Sequence, residues 1–72
     1  MRNITEEVAQ QIIGMVNPLN ESAALCLADA EKCMADGRYD YAAGRALHAI
    51  SHVSGVCSDT YQRACELCET CF

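Results

Sequence analysis

The apolar side chains of this sequence are mostly small, and that limits what the chain can build. Hydrophobic residues make up 51% of the sequence, the share of a folded protein rather than a disordered one. Much of that share is Ala and Cys; large aliphatics are few, Tyr 3 and Phe 1 are the aromatics, and Trp is absent. A core of small side chains lets helices approach closely but buries little area per residue. With 72 residues there is room for one domain only, and so small a core needs support from tight packing, a metal, disulfides or a second subunit. Self-association is the expected solution, because a homodimer doubles the core without lengthening the chain.

The spacing of the apolar residues predicts helices throughout. Period-2 alternation is missing, so no strands are expected. In the first helix, over about 4–16, Ile4, Val8, Ile12 and Met15 recur at helical spacing, flanked by Ala9, Ile13 and Val16. Asn3 can cap it with Glu6 reaching back in a capping box. The pair Asn17–Pro18 ends that helix and can open the next, with Asn17 as cap and Pro18 at the first position. The second helix runs over about 18–36 to Gly37, with Ala23, Cys26, Leu27, Ala30, Cys33 and Met34 on one face. The third, over 39–54, turns Tyr39, Ala43, Ala46, Leu47, Ile50 and Val53 inward and ends at Gly55; Gly44 in its interior is read as a mark of close helix crossing. The fourth, over 58–71, is capped by Ser58 or Asp59 and packs Tyr61, Ala64, Cys65, Cys68 and Phe72. The expected fold is all-α, a small bundle of three to four short antiparallel helices in a single domain.

Charge and termini narrow the function classes. The formal net charge of −5 argues against a basic nucleic-acid-binding surface. The acids are scattered rather than run together, as on an ordinary solvated surface. The start, MRNITEEVAQ, lacks the basic and apolar regions of a signal peptide, and no apolar run approaches the length of about 20 residues needed to cross a bilayer. A cytoplasmic protein is the expectation, and its Cys 6 are then read as reduced thiols.

From Ala30 to Ala49 the order of residues resembles one helical hairpin of the tetratricopeptide type: Ala30, Met34, Gly37, Tyr39, Ala42, Ala46 and Ala49 hold matching positions. That family stacks its hairpins and binds peptides or proteins, so the resemblance implies helix-hairpin geometry and a protein partner. It covers about 20 residues, and at least three repeats are usual. No binding residue carries over from it.

Two groups of residues could carry chemistry. Cys65, Cys68 and Cys71 fall three apart near the C-terminal end of a helix and drift along one side. Soft thiolates favour Cu or Zn, and a closed zinc site needs four ligands, which Cys57, Cys26, Cys33, His48 or His52 could complete. The spacing is similar to that of cysteine-rich copper-storage bundles. The competing reading is packing, since Cys is a small, readily buried side chain and Cys26, Cys33, Cys57, Cys65 and Cys68 fall on the faces assigned to the core. Tyr41, Arg45, His48 and His52 form the second group, a stripe on the third helix opposite its apolar side. Two histidines four apart can hold a metal, but Ala49 stands where a zinc protease needs its glutamate. Tyr and Arg are enriched at interface hot spots, so this stripe is the expected partner-binding surface. No phosphate-cradling loop or nucleophile elbow is present, and no enzymatic activity or cofactor is expected. The sequence thus reads as a small acidic protein-binding module, an inhibitor or adaptor of the kind some phages use to block a host protein. The alternative is a Zn- or Cu-binding protein using Cys57, Cys65, Cys68 and Cys71.

Overall fold

The computed structural model describes residues 4–55 and 57–69. They form four helices: α1 (Glu6–Gly14), α2 (Glu21–Ala35), α3 (Tyr39–Ser54) and α4 (Asp59–Glu69). The described residues contain no strand, and the protein is a small all-α bundle. Its radius of gyration, 10.9 Å, matches the value of about 11 Å expected for a compact chain of this length, so the four helices pack as one body.

Each helix starts and stops for a local reason. Thr5, in extended backbone, accepts a hydrogen bond from the Val8 amide at 3.2 Å and opens α1, with Glu6 and Glu7 placed at the positive end of the helix. The expected cap, Asn3, lies outside the described residues; with Thr5 as cap, the helix begins two residues later than expected. α2 also starts later than the sequence suggests. Asn20, not Asn17, is its cap, accepting from the Ala23 amide at 2.8 Å, and Pro18 stays in the connection. Asn20 prevails because its side chain also bonds to α3, a tertiary tie that local spacing does not reveal.

The α2–α3 turn is a Schellman motif. Gly37 sits at φ 76, its amide donates to the Met34 carbonyl at 3.1 Å, and the Arg38 amide donates to the Cys33 carbonyl at 2.9 Å. α3 stops at Gly55, φ 80. Ser58 then accepts from the Tyr61 amide at 3.1 Å while its hydroxyl donates to the Gly55 carbonyl at 2.9 Å, so one side chain closes the turn and caps α4.

α3 is the centre of the fold and touches the other three helices, whereas α2 and α4 do not meet. The most extensive packing joins α2 to α3, and it is built on alanine. Ala23 and Ala30 of α2 and Ala42, Ala43, Ala46 and Ala49 of α3 are all buried. Small side chains here let the two backbones come close, as a core poor in large residues requires. The largest fully buried side chains are Ile12 and Ile50, joined in the core by Ala64 and Cys68, with Ile4, Val8, Ile13, Leu47 and Tyr61 packed around them. A hydrogen bond from the Tyr39 hydroxyl to Glu6 Oε2, 3.1 Å, links the start of α3 to the start of α1.

Three expectations about the faces need correction. Gly44 marks no close crossing: it is exposed, and a Cβ built on it meets nothing within 4 Å. Cys57 is exposed rather than inward, because it precedes α4 in the turn. The inner face of α3 includes Ala42 and Ala49, which places the Tyr41, Arg45, His48 and His52 stripe beside the α2 seam and not opposite the apolar side.

Candidate functional site

That displacement of the stripe brings together a cluster of three metal-competent side chains among the described residues. Gly37 reverses the chain, so residues equally far before and after it lie at the same level of the hairpin. Cys26 and His48 are such a pair. Cys26 occupies the flank of α2 that faces the stripe, and His52 follows His48 one turn along α3. The Cys26 Sγ atom and one ring nitrogen from each histidine all lie within 4.8 Å of one another. The two imidazoles meet edge to face, ring centroids 5.7 Å apart and planes at 67°. Cys26 is half-buried, and both histidines are exposed.

One side-chain-to-backbone bond ties the start of α2 to α3 at this level, and a second lies within α3. The Asn20 side-chain amide donates to the His52 carbonyl at 3.1 Å, and the Ser51 hydroxyl donates to the His48 carbonyl at 2.7 Å. The buried alanine seam directly beneath keeps α2 and α3 at short range, so a side chain as short as Cys26 reaches the imidazoles.

The other half of the stripe borders a shallow concavity of about 250 Å³ lined by Asp40, Tyr41, Gly44, Arg45 and His48. Tyr41 is 63% exposed. Gly44 contributes to the hollow simply by having no side chain between Tyr41 and His48. A larger cleft, about 510 Å³, lies between α1 and α2 and is lined by Gln10, Ile13, Gly14, Leu27, Glu31 and Met34.

The cysteines of the C-terminal half fall in different surroundings. Cys57 is exposed, Cys65 half-buried and Cys68 buried in the core; Cys71 lies outside the described residues. Among the described residues, the metal-competent group of three is Cys26, His48 and His52, and Cys57, Cys65 and Cys68 are not gathered into one. In the sequence Cys26 figures only as an addition to the C-terminal thiols, whereas His48 and His52 figure both there and as a pair four apart on the third helix. Their true signal was the equal spacing of Cys26 and His48 about Gly37, combined with two histidines four apart.

The fold and the site define the class only broadly: an all-α hairpin-centred bundle with a thiol and two imidazoles at its α2–α3 seam. No known protein family, curated protein or solved structure matches this chain.

Proposed function

We propose that this chain is a protein-binding module that engages its partner through the α2–α3 face, acting by binding rather than by catalysis. The observation that carries this reading is Tyr41, a large aromatic held 63% exposed on the rim of a hollow shared with Arg45 and His48. Tyr and Arg concentrate binding energy when a partner desolvates them, and the concavity offers a place for one partner side chain. Arg45, His48 and His52 continue the same stripe along α3. An inhibitor or adaptor role fits a chain of this size and net charge −5, with a basic or mixed-charge partner surface as the complement. The free thiols of Cys26, Cys33, Cys57 and Cys65 suit a reducing compartment such as the cytoplasm. No helix among the described residues is long and apolar enough to cross a membrane.

Self-association belongs to the same proposal. Two large apolar side chains, Leu19 and Leu25, are 73% and 64% exposed, and the α1–α2 cleft is lined in part by Ile13, Leu27 and Met34. A second copy covering these groups would enlarge a core whose largest fully buried side chains, among the described residues, are Ile12 and Ile50. Light scattering is expected to give the mass of a dimer; a mass near 7.8 kDa would refute it.

The docking surface is tested by replacing Tyr41, Arg45 and His48 together with Ala and comparing capture of partners from an extract of the producing cells. All three side chains are exposed, so the helical spectrum should be unchanged. Loss of a partner captured by the unaltered chain supports the reading. Retention of every partner removes this stripe as the contact surface.

A further inference from the structure

We infer that Cys26, His48 and His52 form a binding site for one zinc-like transition-metal ion, bridging α2 and α3. The donor set selects the ion. One thiolate and two imidazoles suit Zn(II) and disfavour Mg(II) and Ca(II), which take oxygen ligands. Around a tetrahedral zinc ion, with Zn–S about 2.3 Å and Zn–N about 2.0–2.1 Å, neighbouring ligand atoms stand roughly 3.3–3.7 Å apart. The three donor atoms here already lie within 4.8 Å of one another. Both histidines are exposed, and exposed side chains change rotamer in ps–ns, so closing that gap needs no backbone movement.

The backbone supplies the preorganisation. His48 and His52 are four apart on one helix and present two ligands on one face. The buried alanines Ala23, Ala30, Ala42 and Ala49 bring the third ligand across the seam, and the bond from Asn20 to the His52 carbonyl fixes the end of the site. Three protein ligands leave a fourth tetrahedral position open to water or to a group from a partner. The thiol proton of Cys26 is released to solvent on binding, so metal uptake is expected to weaken as pH falls. The site shares His48 and His52 with the proposed docking stripe but does not rest on that reading.

The test uses the full chain, reduced and freed of metal with a chelator that is then removed. Co(II) serves as the spectroscopic probe and Zn(II) as competitor. Expected are one Co(II) per chain, a sulfur-to-cobalt charge-transfer band from a single thiolate, tetrahedral d–d absorption, and displacement of both signals by one equivalent of Zn(II). Cys26→Ser should abolish the charge-transfer band, and H52Q, a change at an exposed position, should weaken binding by more than about tenfold, since losing even an outer partner of a ligand costs about 10–100-fold. The double variant Cys65→Ser, Cys71→Ser and the single variant Tyr41→Ala should both keep the full signal, the latter even if it loses its protein partner. Helical circular dichroism checks that each variant is folded. The proposal is overturned by absence of stoichiometric Co(II) or Zn(II) binding, by uptake of Cu(I) alone, or by a signal that survives Cys26→Ser and disappears in the Cys65/Cys71 variant.

Discussion

The side chain of Asn20 joins two helices to one another: its Oδ1 accepts from the Ala23 amide at 2.8 Å, and its Nδ2 donates to the His52 carbonyl at 3.1 Å. The first bond caps α2, and the second ties that cap to the last turn of α3. Loss of an N-cap costs about 0.5–2 kcal/mol, and an ordinary hydrogen bond contributes about 0.5–1.5 kcal/mol. Asn20→Ala is therefore expected to destabilise the fold by about 1–2 kcal/mol, read as a lower urea midpoint at unchanged slope. Asn20→Asp keeps the cap and loses only the donor, so it should recover more than half of that loss. Equal destabilisation by Ala and Asp would mean that the bond to His52, and not the cap, dominates.

Gly44 and Ala46 stand two residues apart on α3 and make opposite predictions. Gly44 is exposed, and its missing Cβ would touch nothing within 4 Å; Ala46 is 0% exposed, inside the core cluster. Gly44→Ala should stabilise the protein by about 0.4–1 kcal/mol by restricting the unfolded chain. Ala46→Leu forces extra methylenes into a packed seam and should destabilise it by about 1–3 kcal/mol. Thermal unfolding of the two variants, compared with the unaltered chain, checks both signs.

The bond between Tyr39 and Glu6 makes part of the stability depend on pH. The hydrogen bond to Glu6, then the negative charge of that carboxylate, then desolvation raise the Tyr39 hydroxyl above its ordinary value of 10.0. A raised value means that the folded state holds the proton more tightly than the unfolded state. The contribution is fully present below about pH 10 and is lost as pH rises through the folded value. An ultraviolet or NMR titration should find Tyr39 ionising later than it does in Glu6→Ala. An unchanged titration in that variant would show that the bond does not form in solution.

The helices were legible because their signals are local. Gly37 and Gly55 terminate helices at positive φ, as their positions after periodic segments suggest, and Ser58 caps α4. The start of α2 was not legible, since Asn17 and Asn20 are both good caps and the choice between them depends on the His52 carbonyl, 32 residues away. Apolar periodicity does not mark Ala42 and Ala49 as buried, for a related reason, although both hold matching positions in the hairpin resemblance. A face of alanines gives a weak amphipathic contrast, and its true centre appears only when α2 packs against it. With that centre displaced, the His48 and His52 end of the stripe comes to lie beside Cys26. The helical spacing of Cys65 and Cys68 suits a ligand set but is equally the pattern of a packed face, and Cys68 occupies the core.

Burial ranks the thiols for reaction with an alkylating reagent. Cys57 is exposed; Cys26, Cys33 and Cys65 are half-buried; Cys68 is 5% exposed. Reaction requires access as well as thiolate character, so brief labelling of the native protein, mapped residue by residue by mass spectrometry, should modify Cys57 first and Cys68 last among these five described thiols. Labelling of Cys68 requires α4 to leave α3, and its rate should rise steeply with urea while that of Cys57 hardly changes. A Cys68 rate equal to that of Cys57 in the absence of urea would show that α4 is detached in solution and that the core described by Ile12, Ile50, Ala64 and Cys68 is not the one the chain holds.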